Sequence, residues 1–223
     1  FEVDANAGGE FWLALTCEPP RTTIEQNAGV TTLFTDTDET AAALKAWYRA
    51  DNVATATAHG TKVTRLYDLT GNGHDAVQTN AAYQPEQTSS ALLNQQPVLQ
   101  FNGQLLDAAA LNINPSVMPY LTVYAVGNHR TGNLYSKMWG NDSGSYARGA
   151  GLHINAGSTA KLGYLSGGKV KDIATITANQ PLMLKTQYSP NTIATALNGV
   201  VQAADTDVAH FEGKTAFTIG NLN

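Results

Sequence analysis

Arg65–Gln78, RLYDLTGNGHDAVQ, sets a short apolar run against a Thr-Gly-Asn-Gly segment and a His-Asp pair. Gly71, Asn72 and Gly73 readily supply positive φ, so the centre reads as a tight turn between two strands. Asp68 can close such a turn by accepting hydrogen bonds from its backbone amides. The rival reading is a cation site, since Asp68, Asn72 and Asp75 offer oxygen ligands close together, as calcium prefers. The run lacks the alternating D-x-D-x-D-G spacing of a dedicated calcium loop, so the structural turn is the stronger reading. His74 beside Asp75 suggests a base and its orienting carboxylate, but neighbours on a strand point to opposite faces.

Outward from this turn the chain alternates β-type runs with turn residues. KVTRLYDL precedes it; QPVLQFNG (96–103), YLTVYAVGN (120–128), NLYSKMWGN, AGLHINAG, AKLGYLSGG and VKDIATITA follow, each bounded by Gly, Asn or Ser. PLMLKTQYSP and TIATALNGVVQAA form a hairpin across Ser189–Asn191, and AFTIGNLN closes the series. Many short strands at this spacing predict an all-β sandwich or barrel. Its core is expected from Val98, Phe101, Leu121, Val123, Ala125, Leu184 and Phe217 or Ile219. Residues 1–40 read differently, as an N-terminal arm or extra strand before a domain over 41–223. Within the arm GEFWLALT (9–16) alternates Phe11, Leu13 and Leu15 against Trp12, Ala14 and Thr16, a strand pattern. DTDETAAALKAWYRAD is the one helical candidate, with Asp38 or Thr37 as its cap; over LKAWYRA both a short helix and a strand remain open.

The 223 residues are 43% hydrophobic, enough for a sizeable core, and only 14% charged, well below the usual quarter. The surface is therefore covered by Thr, Asn, Gln, Ser and Gly, a composition common in extracellular, cell-surface and virion β-proteins. A net charge of −5 without any Lys/Arg cluster disfavours nucleic acid as a partner. Membrane insertion is not expected, because no run nears the ~18 apolar residues of a span. The lone Cys17 allows neither an internal disulfide nor a multi-cysteine zinc site. The first residue is Phe1, which fits a processed product or a portion of a longer chain.

LKAWYRADNV (44–53), VTRLYDLTGNGHDAVQ (63–78) and YQPEQTSSALLNQQPVLQFNG (83–103) together resemble the concanavalin A-like lectin/glucanase superfamily, in particular its laminin-G-like jelly-roll modules. Tyr67 stands where Trp is commoner in that pattern, Thr70 for Ser, Gln95 for Gly and Asn102 for Asp. The late hairpin with Asn198-Gly199 is similar too. The resemblance implies a concanavalin A-like jelly-roll sandwich of two antiparallel sheets, and calcium at the Asp68–Asp75 turn as a family option. It also implies one further strand after AFTIGNLN, supplied by residues outside this sequence, by a neighbouring subunit or by the chain's own arm; the alternating segment with Phe11, Leu13 and Leu15 is suited to fill that place, within the chain or in the next molecule.

An enzyme of that superfamily carries Glu-x-Asp-x-Glu on one strand, period two placing all three carboxylates on one face. Here EVDAN gives Glu2 and Asp4 but Asn6, and an amide cannot act as a general acid. No other catalytic motif occurs, and no catalytic residue is expected. The five histidines show no metal-ligand spacing. Sugar or partner contact is expected instead at LYSKMWGNDSGSYARG (134–149), where Trp139, Asn141, Asp142 and Tyr146 stand among flexible Gly and Ser. Trp139 filling a core edge is the competing reading. Asn141 also opens an N-x-S sequon. The sequence thus points to a non-catalytic, surface-exposed domain for glycan recognition or adhesion that requires no cofactor, calcium being the sole candidate. The alternative is a self-associating structural subunit of a virion, fibre or filament, whose partner is a neighbouring subunit.

Overall fold

The computed structural model describes residues 12–16, 26–27, 30–31, 44–56, 60–93, 95–128, 135–143, 147–154, 160–167, 169–206 and 208–220. With strands numbered along the chain, the first sheet runs from β18 (Val200–Val201) through β17 (Thr192–Leu197), β16 (Pro181–Ser189), β11 (Leu121–Asn128) and β1 (Trp12–Thr16) to β4 (Leu44–Arg49). A short β19 (Asp205–Thr206) pairs with β17 as well. The second sheet runs β15 (Lys169–Thr175), β14 (Ala160–Ser166), β13 (Gly149–Ile154), β12 (Tyr135–Gly140), β20 (Phe217–Gly220), β10 (Leu105–Ala108), β7 (Ala76–Val77), β6 (Val63–Leu66), β5 (Val53–Thr55). Two hairpins are added, β2 (Gln26–Asn27) with β3 (Val30–Thr31) and β8 (Glu86–Ser90) with β9 (Gln96–Gln100), the latter bridged through Glu86 to Lys62 before β6. The chain is an all-β antiparallel sandwich.

Period-two alternation builds the core. On β16, Leu182, Leu184, Thr186 and Tyr188 are buried and their neighbours are not. Leu121, Val123 and Ala125 of β11 stand opposite them in register. Ile219 and Phe217 of β20, Leu106 of β10 and Leu162 of β14 close the same cluster from the second sheet. Each such aliphatic side chain contributes about 1.5–3 kcal/mol when fully buried. Tyr188 ties the two layers: its hydroxyl accepts the Gly149 amide (3.2 Å) and lies within donor reach of the Gly149 (3.0 Å) and Leu165 (3.1 Å) carbonyls, which share its one proton. Val98 and Phe101 fall outside the fully buried set. Among the described residues β9 pairs with β8 alone, and Phe101 packs on the core's margin while Val98 stays half-buried.

The helical candidate resolves, over its described part, into β4. Ala46 and Tyr48 are buried, whereas Lys45, Trp47 and Arg49 between them are only partly so; that is the pattern of a strand with one face on a core. The chain before Leu44, with Thr37, Asp38 and Glu39, lies outside the described residues. β1 comes from the segment read as an arm, and it occupies an interior place in the first sheet. It pairs antiparallel with β11 on one side and β4 on the other.

Candidate functional site

The Asp68–Asp75 segment is a turn whose two carboxylates are engaged by the protein itself. Gly71 and Gly73 sit at φ 79° and 78°, which a residue bearing Cβ rarely adopts. Asp68 Oδ1 accepts the Thr70 amide (3.0 Å) and the Trp47 amide (3.1 Å), and its Oδ2 accepts the His74 amide (3.2 Å). Asp75 Oδ1 accepts the Asp68 amide (2.9 Å), and Oδ2 faces Arg65 (3.0 Å). Asn72 Nδ2 donates to the carbonyls of Leu44 and Lys45, both at 3.1 Å. Among the described residues no group of three or more His, Cys, Asp or Glu side chains is arranged to hold a metal ion.

Those bonds give the turn a second task. β4 is the last strand of the first sheet, and the turn covers its outer main-chain edge. The Leu69 amide donates to the Trp47 carbonyl (2.8 Å), the Trp47 amide is held by Asp68, and the Tyr48 hydroxyl reaches the His74 carbonyl. An open edge of this kind is a template for unwanted pairing, and here it is closed by a hairpin of the opposite sheet. Trp47 is thereby fixed at both its backbone donor and its acceptor.

Trp47 belongs to a row of side chains on the face of the first sheet away from the core. Ala14 stands in register between Trp47 and Tyr124, and Tyr124 pairs with Lys185, which pairs with Ala196. Trp47, Tyr124 and Lys185 are each partly exposed. Lys185 Nζ lies 5.8 Å from the Tyr124 ring centroid, within cation–π range. Burial pushes the Tyr124 phenol up and the Lys185 ammonium down. Trp47 and Tyr124 are two strands apart, about 9–10 Å. Arg49 and Lys45 flank Trp47 on β4, and Gln187 follows Lys185 on β16. Among the described strand positions on this face there is no carboxylate. The arrangement suits a polyhydroxylated chain: aromatic faces for C–H stacking, with amide and ammonium donors beside them.

The expected sugar-contact cluster takes a different place. Trp139 is fully buried, stacked on Phe217 (centroids 5.8 Å) and edge-on to Tyr188 (6.0 Å), so its faces are not available to a ligand. Asn141 is buried as well. Its Nδ2 donates to Asn114 Oδ1 (2.6 Å) and the Lys214 carbonyl (3.2 Å), and its Oδ1 accepts the Arg148 amide (3.1 Å). That network also closes the sequon, because no Asn141 amide hydrogen faces solvent. Asp142 is buried against Lys137 at 2.7 Å, and Gly213 approaches so closely that a Cβ there would sit 2.1 Å from the Asn141 carbonyl oxygen. Arg148, fully buried, donates to the carbonyls of Ile113 (2.9 Å) and Pro119 (3.3 Å) with its guanidinium over the Tyr188 ring at 5.1 Å. Burial pushes it down to about 10, so it stays charged at neutral pH. The local sequence is polar, but residues 112–119 and 209–214 close over it and take up the Asn141 side-chain amide, while Trp139 Nε1 and Arg148 Nε are buried without a hydrogen-bond partner among the described residues. Tyr146, Phe11, Glu2, Asp4, Asn6 and Cys17 lie outside the described residues, while Leu13 and Leu15 are in β1.

One Ser–His pair was not legible in the sequence. Ser166 Oγ lies 2.8 Å from His210 Nδ1, and His210 Nε2 lies 2.6 Å from the Ser189 carbonyl oxygen. The contacts resemble a nucleophile, its base and an orienting acceptor. Ser166 is only 3% exposed, however, so no substrate reaches its hydroxyl. Ser166 is on β14 and Ser189 on β16, and His210 joins the two sheets.

No protein-family model matches this chain, and no curated protein matches it. Among solved structures it is similar to domain 4 of AbnA, a GH43 extracellular arabinanase from Geobacillus stearothermophilus, in complex with arabinotriose. That likeness has 13% identity and a TM-score of 0.45, over 68% of this chain and 76% of the other. It is also similar to the carbohydrate binding module CBM66 from Bacillus subtilis, with 14% identity and a TM-score of 0.28, over 46% of this chain and 77% of the module.

Proposed function

We propose that this chain is a non-catalytic carbohydrate-recognition domain of an extracellular, surface-exposed protein, of the laminin-G-like kind, and that it binds glycan on the outer face of β4, β1, β11 and β16. The observation that carries this reading is the single register row holding Trp47, Tyr124 and Lys185. Two aromatic rings with a small residue between them form a platform, and Lys185 and Gln187 supply donors to ring hydroxyls. The non-catalytic part is supported by the lack of carboxylates at described strand positions of that face, where glycoside hydrolysis needs two. Independence from metal is supported by Asp68 and Asp75, whose carboxylates already accept backbone amides.

The test is titration of the full chain with a panel of oligosaccharides, followed by calorimetry on the best binder with Trp47→Ala, Tyr124→Ala and Trp139→Phe. The first two should each weaken binding by at least tenfold, about 1.4 kcal/mol, without loss of the folded circular-dichroism spectrum. Trp139→Phe, which alters only the interior, should leave affinity within about twofold. Undiminished affinity in the Trp47 and Tyr124 variants, or no binding by the parent chain, overturns the reading.

A further inference from the structure

We infer that β1 is an exchangeable strand, and that the partner it fits is a second copy of this chain, which donates its own β1 into the slot between β11 and β4. Three observations converge on this, and none depends on the glycan reading.

The first is the position of the strand. β1 is hydrogen-bonded on both sides, and among the described strands it is the one through which β4 joins the first sheet. A vacated slot therefore opens two main-chain edges at once, flanked by the buried side chains of Val123 and Ala125 on β11 and of Ala46 and Tyr48 on β4. Open edges bordered by apolar side chains recruit a strand. The segment that matches the register on both sides is β1 itself, and every copy carries one.

The second is the length of the connection. Thr16 and Leu44 are register partners, which a hairpin loop of about two to five residues can join. Residues 17–43 supply 27. With the six residues 26–31 of the β2–β3 hairpin folded out, the rest still reaches about 70 Å. The radius of gyration expected at 223 residues is about 17 Å. The connection thus leaves β1 free to fill its own slot or the slot of an adjacent copy, with the same ladders formed either way.

The third is charge. Residues 1–43 hold eight acidic side chains and one basic, net −7, whereas residues 44–223 hold ten acidic and twelve basic, net +2. Two whole copies repel weakly, but the β1-bearing segment of one is attracted to the body of the other.

The test uses cysteine pairs across the β1–β11 ladder in a Cys17→Ser background. Thr16 and Thr122 are register partners, so T16C/T122C reports which chain's β1 sits beside β11. Samples are equilibrated at a series of protein concentrations in mild urea, returned to buffer, oxidised, and run on a non-reducing gel. Exchange gives a covalent dimer whose ratio to intramolecularly bridged monomer rises about tenfold per tenfold rise in monomer concentration. If T16C/T122C fails to fold, A14C/Y124C reads the same ladder two residues along. Bridged monomer alone at every concentration overturns the proposal. So does a dimer that forms equally well with T16C as the sole cysteine.

Discussion

His210 shows how one side chain can join two layers. Its Nδ1 faces Ser166 on one sheet and its Nε2 faces a carbonyl on the other, so the neutral ring serves as acceptor on one side and donor on the other. Its ring also stands edge-on to Tyr188, with centroids 5.7 Å apart. Burial is the main cause that holds its pKa below the ordinary value of 6.5; the Arg148 charge acts the same way, and the Ser189 carbonyl opposes both. The unfolded chain therefore takes up the proton first as pH falls. The stabilising contribution is complete above about pH 6.5 and is lost as pH drops through the lower folded value. Urea midpoints measured from pH 8 to pH 5 should decline for the parent chain, and the decline should be shallower in His210→Gln. Equal slopes for the two proteins would remove His210 from this role.

Among the elements, the 68–75 turn has the widest reach, because it belongs to the β6–β7 hairpin of one sheet and closes the edge strand of the other. Asp68 alone accepts amides from Thr70, His74 and Trp47. Removing a partly buried carboxylate with several such bonds costs about 2–3 kcal/mol. Asp68→Ala should lower the urea midpoint accordingly and raise hydrogen exchange first at the Trp47 and Leu69 amides. Neither EDTA nor calcium should shift the melting temperature of the parent chain. A calcium-dependent rise that Asp68→Ala abolishes would show that the oxygens bind a cation in preference to the amides. At this scale the pattern of Arg65–Gln78 was informative: a Gly-Asn-Gly centre admits the positive φ a tight turn requires, and flanking Asp residues can close it. The partner strand was not legible, since Trp47 is 21 residues from Asp68 and nothing local joins them.

At the level of the whole molecule, the interior is organised around Trp139, Tyr188, Phe217 and Arg148, contributed by both sheets. Trp139→Ala leaves a large cavity there and should destabilise the fold by about 3–5 kcal/mol, read as a lower urea midpoint at an unchanged slope. Trp47→Ala should show the reverse pattern, with a small change in midpoint and a loss of glycan affinity. Similar stability losses in both variants would mean that Trp47 is a core residue and not part of a platform.

The two tryptophans also mark where sequence stops and tertiary structure begins. Alternation, β-branched residues and turn chemistry act over neighbouring residues, so the strands at 63–66, 121–128, 181–189 and 192–197 and the turn at 68–75 are written locally. An all-β sandwich follows from them. Local pattern could not say which polar, aromatic-rich segment faces water. Trp139, Asn141 and Asp142 read as a loop surface, yet all three are buried, and the side-chain amide of Asn141 donates to Asn114 and Lys214 from far along the chain. Trp47 read as helix or strand with equal ease, because Ala-rich and aromatic residues adjoin there; its place was decided by β1 on one side and Asp68 on the other. Sequence determines periodicity, since that depends on backbone geometry repeated every two residues. Exposure depends on what arrives from elsewhere to cover a face, and only the folded chain contains that information.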